Sequence, residues 1–406
     1  MNQKQSLLLI AYGGGHVAML APIAQALIAS SRPFTFIALT TARSVLDRLG
    51  IPSIGFSELL EAVELDALGW GRELAGDLPA GGPVSPEETI AYLGANFRDL
   101  VVEHGEDEAR RRYAEAGRQA FLPIATMRRV IARLAPDLVV ATNSPRAERA
   151  AILAAGQLGT PSICAVDLFA LQEVQWIGQP GYASRVCVLN ESVRDMFLAH
   201  GRKPDELVIT GNPAFDRLRE SETIQAGEQL RLDRGWDDGK KTVLWASQIE
   251  PERHPFATLA GDPTLPRRVE RTLRDIVAAE ESLRLVVRYH PSECIDFEPA
   301  PRVEFSPVSE PISTLLHAVD AVVVTASTVG LEAALAGRPV VSVDTSVFTP
   351  DTQYEAMGVS RGVTDLQELG GAVNEALQGS VPVFTQGQSG KTATQEILRV
   401  IDSLLV

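Results

Sequence analysis

The sequence predicts an α/β protein made of two doubly wound domains, each with a parallel sheet covered on both faces. Three observations carry this. Short, continuous apolar runs recur along the chain, as strands buried on both faces require. Segments of helical spacing lie between the runs, supplying the crossovers that parallel strands need. The alternation occurs twice, once on either side of Gly211-Asn212-Pro213, and 406 residues suit two domains at roughly 150 residues each plus insertions.

In the first series, Leu7 to Ala11 is a strand that ends in Gly13-Gly14-Gly15-His16, and Val17 to Ser30 is the helix that follows. Phe34 to Leu39 is the next strand. A helix at Ala120 to Leu134 leads into the strand Pro136 to Ala141. The helix Ala147 to Leu158 and the strand Pro161 to Val166 continue the pattern, with further strands at Arg185 to Leu189 and Leu207 to Thr210. Glu58 to Gly117 differs: it is rich in Glu, Arg and Gly and is broken at Leu78 to Pro83, so it reads as helical insertions. The Glu103 to Arg118 stretch reads as a solvated helix face. The first domain is thus expected over 1–212, with its insert near 58–117.

The second domain is expected over 213–385. Asp216 to Lys241 is polar, carries the Arg234 to Gly239 turn cluster, and reads as a connector. Strands follow at Thr242 to Ala246, Leu285 to Tyr289, Ala321 to Thr325 and Val340 to Asp344. Helices lie between them at Pro266 to Ala279, Ser313 to Val319 and Thr328 to Ala336. Residues 386–406 hold a last helix, Thr392 to Leu405, after a Gly/Gln-rich stretch. Open α/β sheets bind ligands outside the carboxyl ends of their strands, and two such domains facing a central cleft make a site at their interface.

The charge balance, 37 basic against 52 acidic residues for a net −15, argues against electrostatic binding of nucleic acid and against polybasic docking to an anionic membrane. No apolar run reaches the roughly 18 residues of a spanning helix, so no transmembrane segment is expected. Met1 to Ile10 lacks the length and cleavage pattern of a signal peptide and reads as the approach to the first strand. Cys164, Cys187 and Cys294 are widely spaced and form no CxxC pair. That excludes a disulfide framework and a Cys-based zinc site and fits a reducing cytoplasm. The six His form no HExxH, and no metal is expected.

Four segments can carry chemistry. In Val324 to Pro339 a buried strand runs into Ser327-Thr328-Val329-Gly330, which opens a helix. Unsatisfied first-turn amides and the helix dipole favour an anion there, with the Ser327 and Thr328 hydroxyls as further donors. Glu332, about a turn inside, is placed to accept from sugar hydroxyls. Equally, Ser327 or Thr328 can be an N-cap with Glu332 as its capping partner. In Arg288-Tyr289-His290-Pro291, His290 ends a strand and can bond a base or a phosphate; a loop carbonyl would satisfy it as well. Gly13, Gly14 and Gly15 allow close backbone approach or positive φ, but they form neither GxxxxGK[ST] nor GxGxxG. His16 behind them suits a general base, since imidazole titrates in the right range to accept a hydroxyl proton. Asp351 and Gln353, in a loop after the last strong strand, suit several sugar hydroxyls or start a capped helix. Asp167, just after the strand at Pro161 to Val166, is a second acid/base candidate or a turn cap.

Together these segments resemble the GT-B superfamily of nucleotide-sugar enzymes. Gly13-Gly14-Gly15-His16 with Ala21-Pro22-Ile23-Ala24 resembles the GGHxxPxxA opening of the N-acetylglucosaminyltransferase family that completes the peptidoglycan lipid precursor. Val208 to Pro213 resembles its TGNP segment, Ser327 to Glu332 its nucleotide-binding turn, and Asp351-Thr352-Gln353 with Ala356 its donor-sugar DxQ segment. The same stretches are similar to the UDP-N-acetylglucosamine 2-epimerases, except that Ser247 to His254 stands where those have a His-Arg-x-x-Asn segment. His290-Pro291 with Ser327-Thr328 is similar to the CMP- or CDP-dependent transferases of capsule and sialic-acid synthesis. The Glu58 to Gly117 insert matches none of them.

The resemblance implies a GT-B fold of two Rossmann-like domains and a cytoplasmic glycosyltransferase. It would move a sugar from a nucleotide donor, UDP-linked above all, to an acceptor hydroxyl in bacterial glycan or glycoconjugate synthesis; the alternatives are a UDP-N-acetylglucosamine 2-epimerase-like enzyme or nucleotide-sugar hydrolase, and a CMP- or CDP-dependent transferase of capsule or sialic-acid-like sugars. No cofactor and no metal are implied, because the nucleotide sugar is itself a substrate. Ser327, Thr328, Val329 and Gly330 would hold the diphosphate, Glu332 the ribose, His290 the base or a phosphate, and Asp351 and Gln353 the donor sugar. His16 would be the acceptor base in an inverting displacement, with Asp167 in reserve.

Overall fold

Buried apolar runs become strands in two parallel sheets. The computed structural model describes residues 5–60, 66–76, 82–254, 257–379 and 391–405. The chain divides into two units, Met1–Ala214 with Ser389–Val406, and Phe215–Gln388. The division falls two residues beyond the expected 212/213 step.

In the first unit the strands are β1 (Leu7–Ala11), β2 (Phe34–Ala38), β3 (Leu138–Thr142), β4 (Ser162–Ala165), β5 (Arg185–Val188) and β6 (Leu207–Ile209), in the sheet order β2-β1-β3-β4-β5-β6. All pair in parallel. Every residue of β1, β3 and β4 is buried, which is why these strands read as unbroken apolar runs. The chain reverses direction across the sheet between β1 and β3, so their carboxyl ends flank the crevice where open α/β sheets bind ligands.

The last helix, Ala393–Leu404, packs in the same core as β1 and the helix Gly15–Ala29, through Ile397, Val400 and Ile401. Each such side chain contributes about 1.5–3 kcal/mol on burial. Arg32 also pairs with Asp402 at 2.6 Å. These contacts tie the end of the chain to its beginning.

The insert is helical where it is described: Phe56–Leu59, Ala67–Ala75, Pro86–His104 and Glu106–Ala116. Residues 61–65, and 78–81 of the Leu78 to Pro83 break, lie outside the described residues, as do 381–390 of the Gly/Gln-rich stretch. Only Ala109 is buried in Glu106–Ala116, and its arginines are spent on Glu73, Glu106, Glu108 and Glu115. Exposed pairs of this kind contribute about 0.2–1 kcal/mol each, so this face is a solvated surface. The longer helix Pro86–His104 carries Tyr92, whose hydroxyl lies 2.9 Å from that of Tyr12. The insert is therefore anchored beside the glycine turn.

In the second unit the strands are β7 (Lys241–Ala246), β8 (Leu283–Arg288), β9 (Val303–Phe305), β10 (Ala321–Val324), β11 (Val340–Val343) and β12 (Arg361–Val363), in the order β12-β11-β10-β7-β8-β9, again all parallel. The reversal lies between β7 and β10. The edge strands β9 and β12 were not expected: each has three residues, too few to show a period, and each carries a charge, Glu304 and Arg361.

The polar stretch after Asp216 is more than a connector. It forms the helix Ser221–Asp233, packed on the helix Ile312–Ala318. Its one buried residue is Gly227, which meets the backbone of that neighbour. A helix held by a glycine presents no apolar stripe to read. The helix expected from Ala120 begins instead at Ile124, because the residue before Pro123 is pushed out of helical geometry.

Candidate functional site

Each unit gathers candidate side chains at the carboxyl ends of its middle strands. In the first unit, β1 leaves through Tyr12 into the glycine turn. Gly14 has φ +70°, and a Cβ on Gly13 would lie 1.8 Å from Thr41 Oγ1. A side chain at 13 would have to displace Thr41, and the φ at 14 is one that L side chains rarely adopt. The turn opens the helix Gly15–Ala29 and sets His16 in its first turn, two residues earlier than the spacing suggested.

His16 and Asp167 are brought together. Their side chains are 25% and 20% exposed, and His16 Nδ1 lies 3.9 Å from Asp167 Oδ2. Asp167 sits just past β4 and is fixed on several sides. Its N–H donates to Asn143 Oδ1 at 3.0 Å, its carbonyl accepts from Asn212 Nδ2 at 2.6 Å, and its Oδ1 caps the Leu168 N–H at 2.8 Å. Gly15 lies alongside: a Cβ there would come 3.5 Å from Asp167 Oδ2.

Two further residues at this site were not among the sequence candidates. Thr142, the last residue of β3, places Oγ1 2.6 Å from His16 Nδ1. The Thr142 hydroxyl donates in turn to Glu148 Oε2 in a short bond. Glu148 is fully buried and also accepts the N–H groups of Tyr12 at 2.7 Å and Thr142 at 2.8 Å. In sequence it is one acidic residue in the first turn of an Ala-rich helix, Ala147–Leu158, indistinguishable from an ordinary dipole-stabilising glutamate.

In the second unit, β10 runs through Thr325 into the helix Thr328–Leu335. Ser327 is its N-cap: Oγ accepts the Val329 N–H at 3.3 Å, and the Ser327 carbonyl accepts the Gly330 N–H at 2.9 Å. Thr328 is exposed and Val329 half-buried. Glu332 is not the capping partner. Its side chain is 12% exposed, and among the described residues its Oε2 has no hydrogen-bond partner and its nearest cation is Arg217 at 3.8 Å. Burial pushes its carboxyl above the ordinary carboxylate range, against the opposing pull of Arg217 and Arg288.

Gly330 is required by close approach. A Cβ there would stand 2.9 Å from Val324 Cγ2 and 3.0 Å from the Tyr354 ring, and the Tyr354 hydroxyl donates to the Ser327 carbonyl at 2.7 Å. Gly330→Ala must displace Tyr354 or β10. It is expected to cost about 1–3 kcal/mol, read as a lower denaturation midpoint with an unchanged m-value.

His290 follows β8 and is exposed. Its Nδ1 accepts the Ser292 N–H at 3.2 Å, and its own N–H donates to Glu293 Oε2 at 2.8 Å. With Nδ1 accepting, the proton of the neutral ring sits on Nε2, a donor suited to a phosphate or carbonyl oxygen. Glu293 also accepts from Ser247 and Arg267, which makes a rigid base under the histidine.

Asp351 and Gln353 fall in and just after the short helix Thr349–Thr352. Asp351 bonds the buried His254 Nε2 at 2.7 Å, a partner the sequence did not suggest. Gln353 is exposed, has φ +43°, and its Nε2 donates to the Pro350 carbonyl at 3.2 Å. Among the described residues, no cluster of three His, Cys, Asp or Glu side chains is arranged to hold a metal ion, and no helix is long and apolar enough to cross a membrane.

No protein-family model and no curated protein matches the chain. Solved structures do. A UDP-N-acetylglucosamine 2-epimerase structure, described as putative, from Listeria monocytogenes is 16% identical, with 99% of this chain and 96% of that one covered at a TM-score of 0.57. A UDP-GlcNAc 2-epimerase from Neisseria meningitidis, bound to UDP-GlcNAc, is 11% identical over 98% and 100%, also at 0.57. A glycotransferase of kitacinnamycin is 13% identical over 99% and 95% at 0.52. Two six-stranded parallel sheets with their surrounding helices, matched along nearly the full length of these proteins, give the chain the GT-B fold.

Proposed function

We propose that the chain is a nucleotide-sugar enzyme, and specifically a glycosyltransferase that moves a sugar from a UDP-linked donor to an acceptor hydroxyl. The observation that carries this is Glu332. Its buried Oε2 has no hydrogen-bond partner among the described residues, which costs stability unless a ligand supplies donors, and paired ribose hydroxyls are such donors. Ser327, Thr328 and the Val329 amide, at the start of Thr328–Leu335, lie beside it in the chain and suit a diphosphate, with the turn held by the Gly330 N–H on the Ser327 carbonyl. The His290 Nε2–H adds one donor. These groups meet the charge that develops on the leaving diphosphate, and no metal is needed for that task. Gln353 and Asp351 are assigned to the donor sugar, Asp351 with His254 behind it.

His16 is assigned to the acceptor. It takes the hydroxyl proton as the acceptor oxygen attacks the anomeric carbon and the nucleoside diphosphate leaves. The resulting imidazolium is stabilised by Asp167 at 3.9 Å. The insert is tied to the glycine turn through Tyr12 and Tyr92, and acceptor selection is assigned to it.

Epimerisation at the donor sugar is the second reading, favoured by what the Listeria and Neisseria proteins are called. Against it, the position after β7 holds Ser247, committed to Glu293 and Arg267. Two measurements test the proposal. UDP, CMP, CDP, GDP and dTDP are compared as thermal stabilisers; a ligand at about 100 times its Kd adds roughly 2.7 kcal/mol. UDP-sugars are then incubated with and without a panel of hydroxyl acceptors. UDP-selective stabilisation with acceptor-dependent UDP release is expected. An epimer formed from donor alone would replace the transferase with the second reading, and no response to any nucleotide would sink both.

A further inference from the structure

Proton bookkeeping around His16 leads to a role for two buried residues that the proposed reaction does not itself use. Glu148 receives three hydrogen bonds: the Tyr12 N–H on Oε1, and the Thr142 N–H and Thr142 hydroxyl on Oε2. Two of the three are backbone N–H groups, which can only donate, one to each carboxyl oxygen, and the ionised form accepts both and takes the Thr142 hydroxyl proton as well. A threonine hydroxyl has one proton, and that of Thr142 goes to Glu148. Toward His16, 2.6 Å away, Thr142 can therefore only accept. His16 Nδ1 must be the donor in that bond, and Asp167 Oδ2, at 3.9 Å from the same nitrogen, is likewise an acceptor. Both groups facing Nδ1 ask for a proton there.

We infer that Thr142 and Glu148 are positioning residues that hold His16 in the Nδ1–H tautomer, leaving the lone pair on Nε2 as the basic atom. The arrangement is rigid on each side. Thr142 ends a fully buried strand, and Glu148 is bonded to the backbone of both β3 and Tyr12. It is also directional: when Nε2 takes a proton, the Nδ1–H remains bonded to Thr142, and the new positive charge faces Asp167 directly and Glu148 through one hydroxyl. The hydroxyl relay turns the buried Glu148 carboxylate into an orienter of an imidazole that is a quarter exposed. The choice of atom is independent of the reaction, whereas its catalytic meaning rests on the proposed role of His16 as base.

The test reads the tautomer directly. Long-range proton–nitrogen correlation spectra of the full chain labelled with ¹⁵N-histidine, with His16 assigned by its loss in His16→Ala, are expected to show a protonated Nδ1 and a bare Nε2 near neutral pH. Thr142→Val keeps the shape and removes the acceptor. It is expected to move His16 toward the Nε2–H form and to lower kcat about 10- to 100-fold, the scale on which loss of a partner that orients a functional imidazole is felt. Thr142→Ser restores the hydroxyl and is expected to restore both. An Nε2–H tautomer in the wild-type chain, or a tautomer unmoved by Thr142→Val, overturns the inference; the wild-type spectrum decides even if the valine variant does not fold. An Nδ1–H tautomer found beside a fully active His16→Ala enzyme would instead leave the inference standing and remove the base from the proposed reaction.

Discussion

His16→Ala is expected to lower the rate of sugar transfer by about 10²- to 10⁴-fold, the usual contribution of a positioned general base, while UDP stabilises the variant as it does the wild type. The split follows from where the residues sit. His16 belongs to the first unit, and every residue assigned to the nucleotide belongs to the second. Stability changes little, since the ring is a quarter exposed and Thr142 keeps its bond to Glu148 when the imidazole is gone. Asp167→Asn is the companion measurement. If Asp167 acts only by steadying the imidazolium, its loss costs less than the loss of His16, because a charge 3.9 Å away at the edge of solvent is partly screened. A larger loss in Asp167→Asn than in His16→Ala would reverse the assignment and make the carboxylate the base.

These two residues illustrate how much of the site was legible. Both were singled out because they follow buried strands, and in a parallel sheet that position alone sets a side chain at the ligand-binding end. The same rule reached His290, Ser327 and Glu332. What it does not reach is a partner behind the first residue. Thr142 looks like the end of a strand, Glu148 like a dipole-stabilising glutamate, and His254 lies in a loop with no period. Each gains its meaning from a contact across more than 90 residues of sequence: Thr142 with His16, Glu148 with Tyr12, His254 with Asp351. No local pattern carries such a pairing.

The fold divides along the same line. Strands buried on both faces, such as β1, β3 and β10, announce themselves by apolar runs. The edge strands β9 and β12 do not, because three residues show no period even though Val303 and Val363 join the core; nor does the helix Ser221–Asp233, whose one buried residue is a glycine. Ser327 shows a further kind of ambiguity. The sequence allowed a cap or an anion site, and the structure displays the cap, Ser327 Oγ to the Val329 N–H. A 3.3 Å bond is near the long limit for such contacts, so exchanging it for one to a phosphate oxygen costs little.

Glu332→Ala is expected to weaken UDP binding about 10- to 150-fold, the equivalent of about 1.5–3 kcal/mol for hydrogen bonds to a charged group. The melting temperature of the free protein at neutral pH should not fall, because the alanine removes a buried carboxylate whose Oε2 has no hydrogen-bond partner. The pH dependence separates this role from a structural one. Burial raises the folded-state pKa of Glu332 above the ordinary 4.5. Above 4.5 the native chain therefore retains a proton that the unfolded chain has lost. The stabilisation this gives, relative to an always ionised Glu332, is complete at low pH and disappears as pH rises through the folded pKa. Ribose hydroxyls donate best to the ionised form, so binding in that window expels a proton, and UDP affinity climbs with pH until Glu332 is ionised in the free protein. Calorimetric titration of UDP between about pH 5 and pH 8 reads this as a slope in log Kd. Glu332→Gln keeps the shape without the titration and should flatten that slope while retaining part of the affinity. Wild-type affinity in Glu332→Ala, or an unchanged slope in Glu332→Gln, would mean that the nucleotide is held elsewhere.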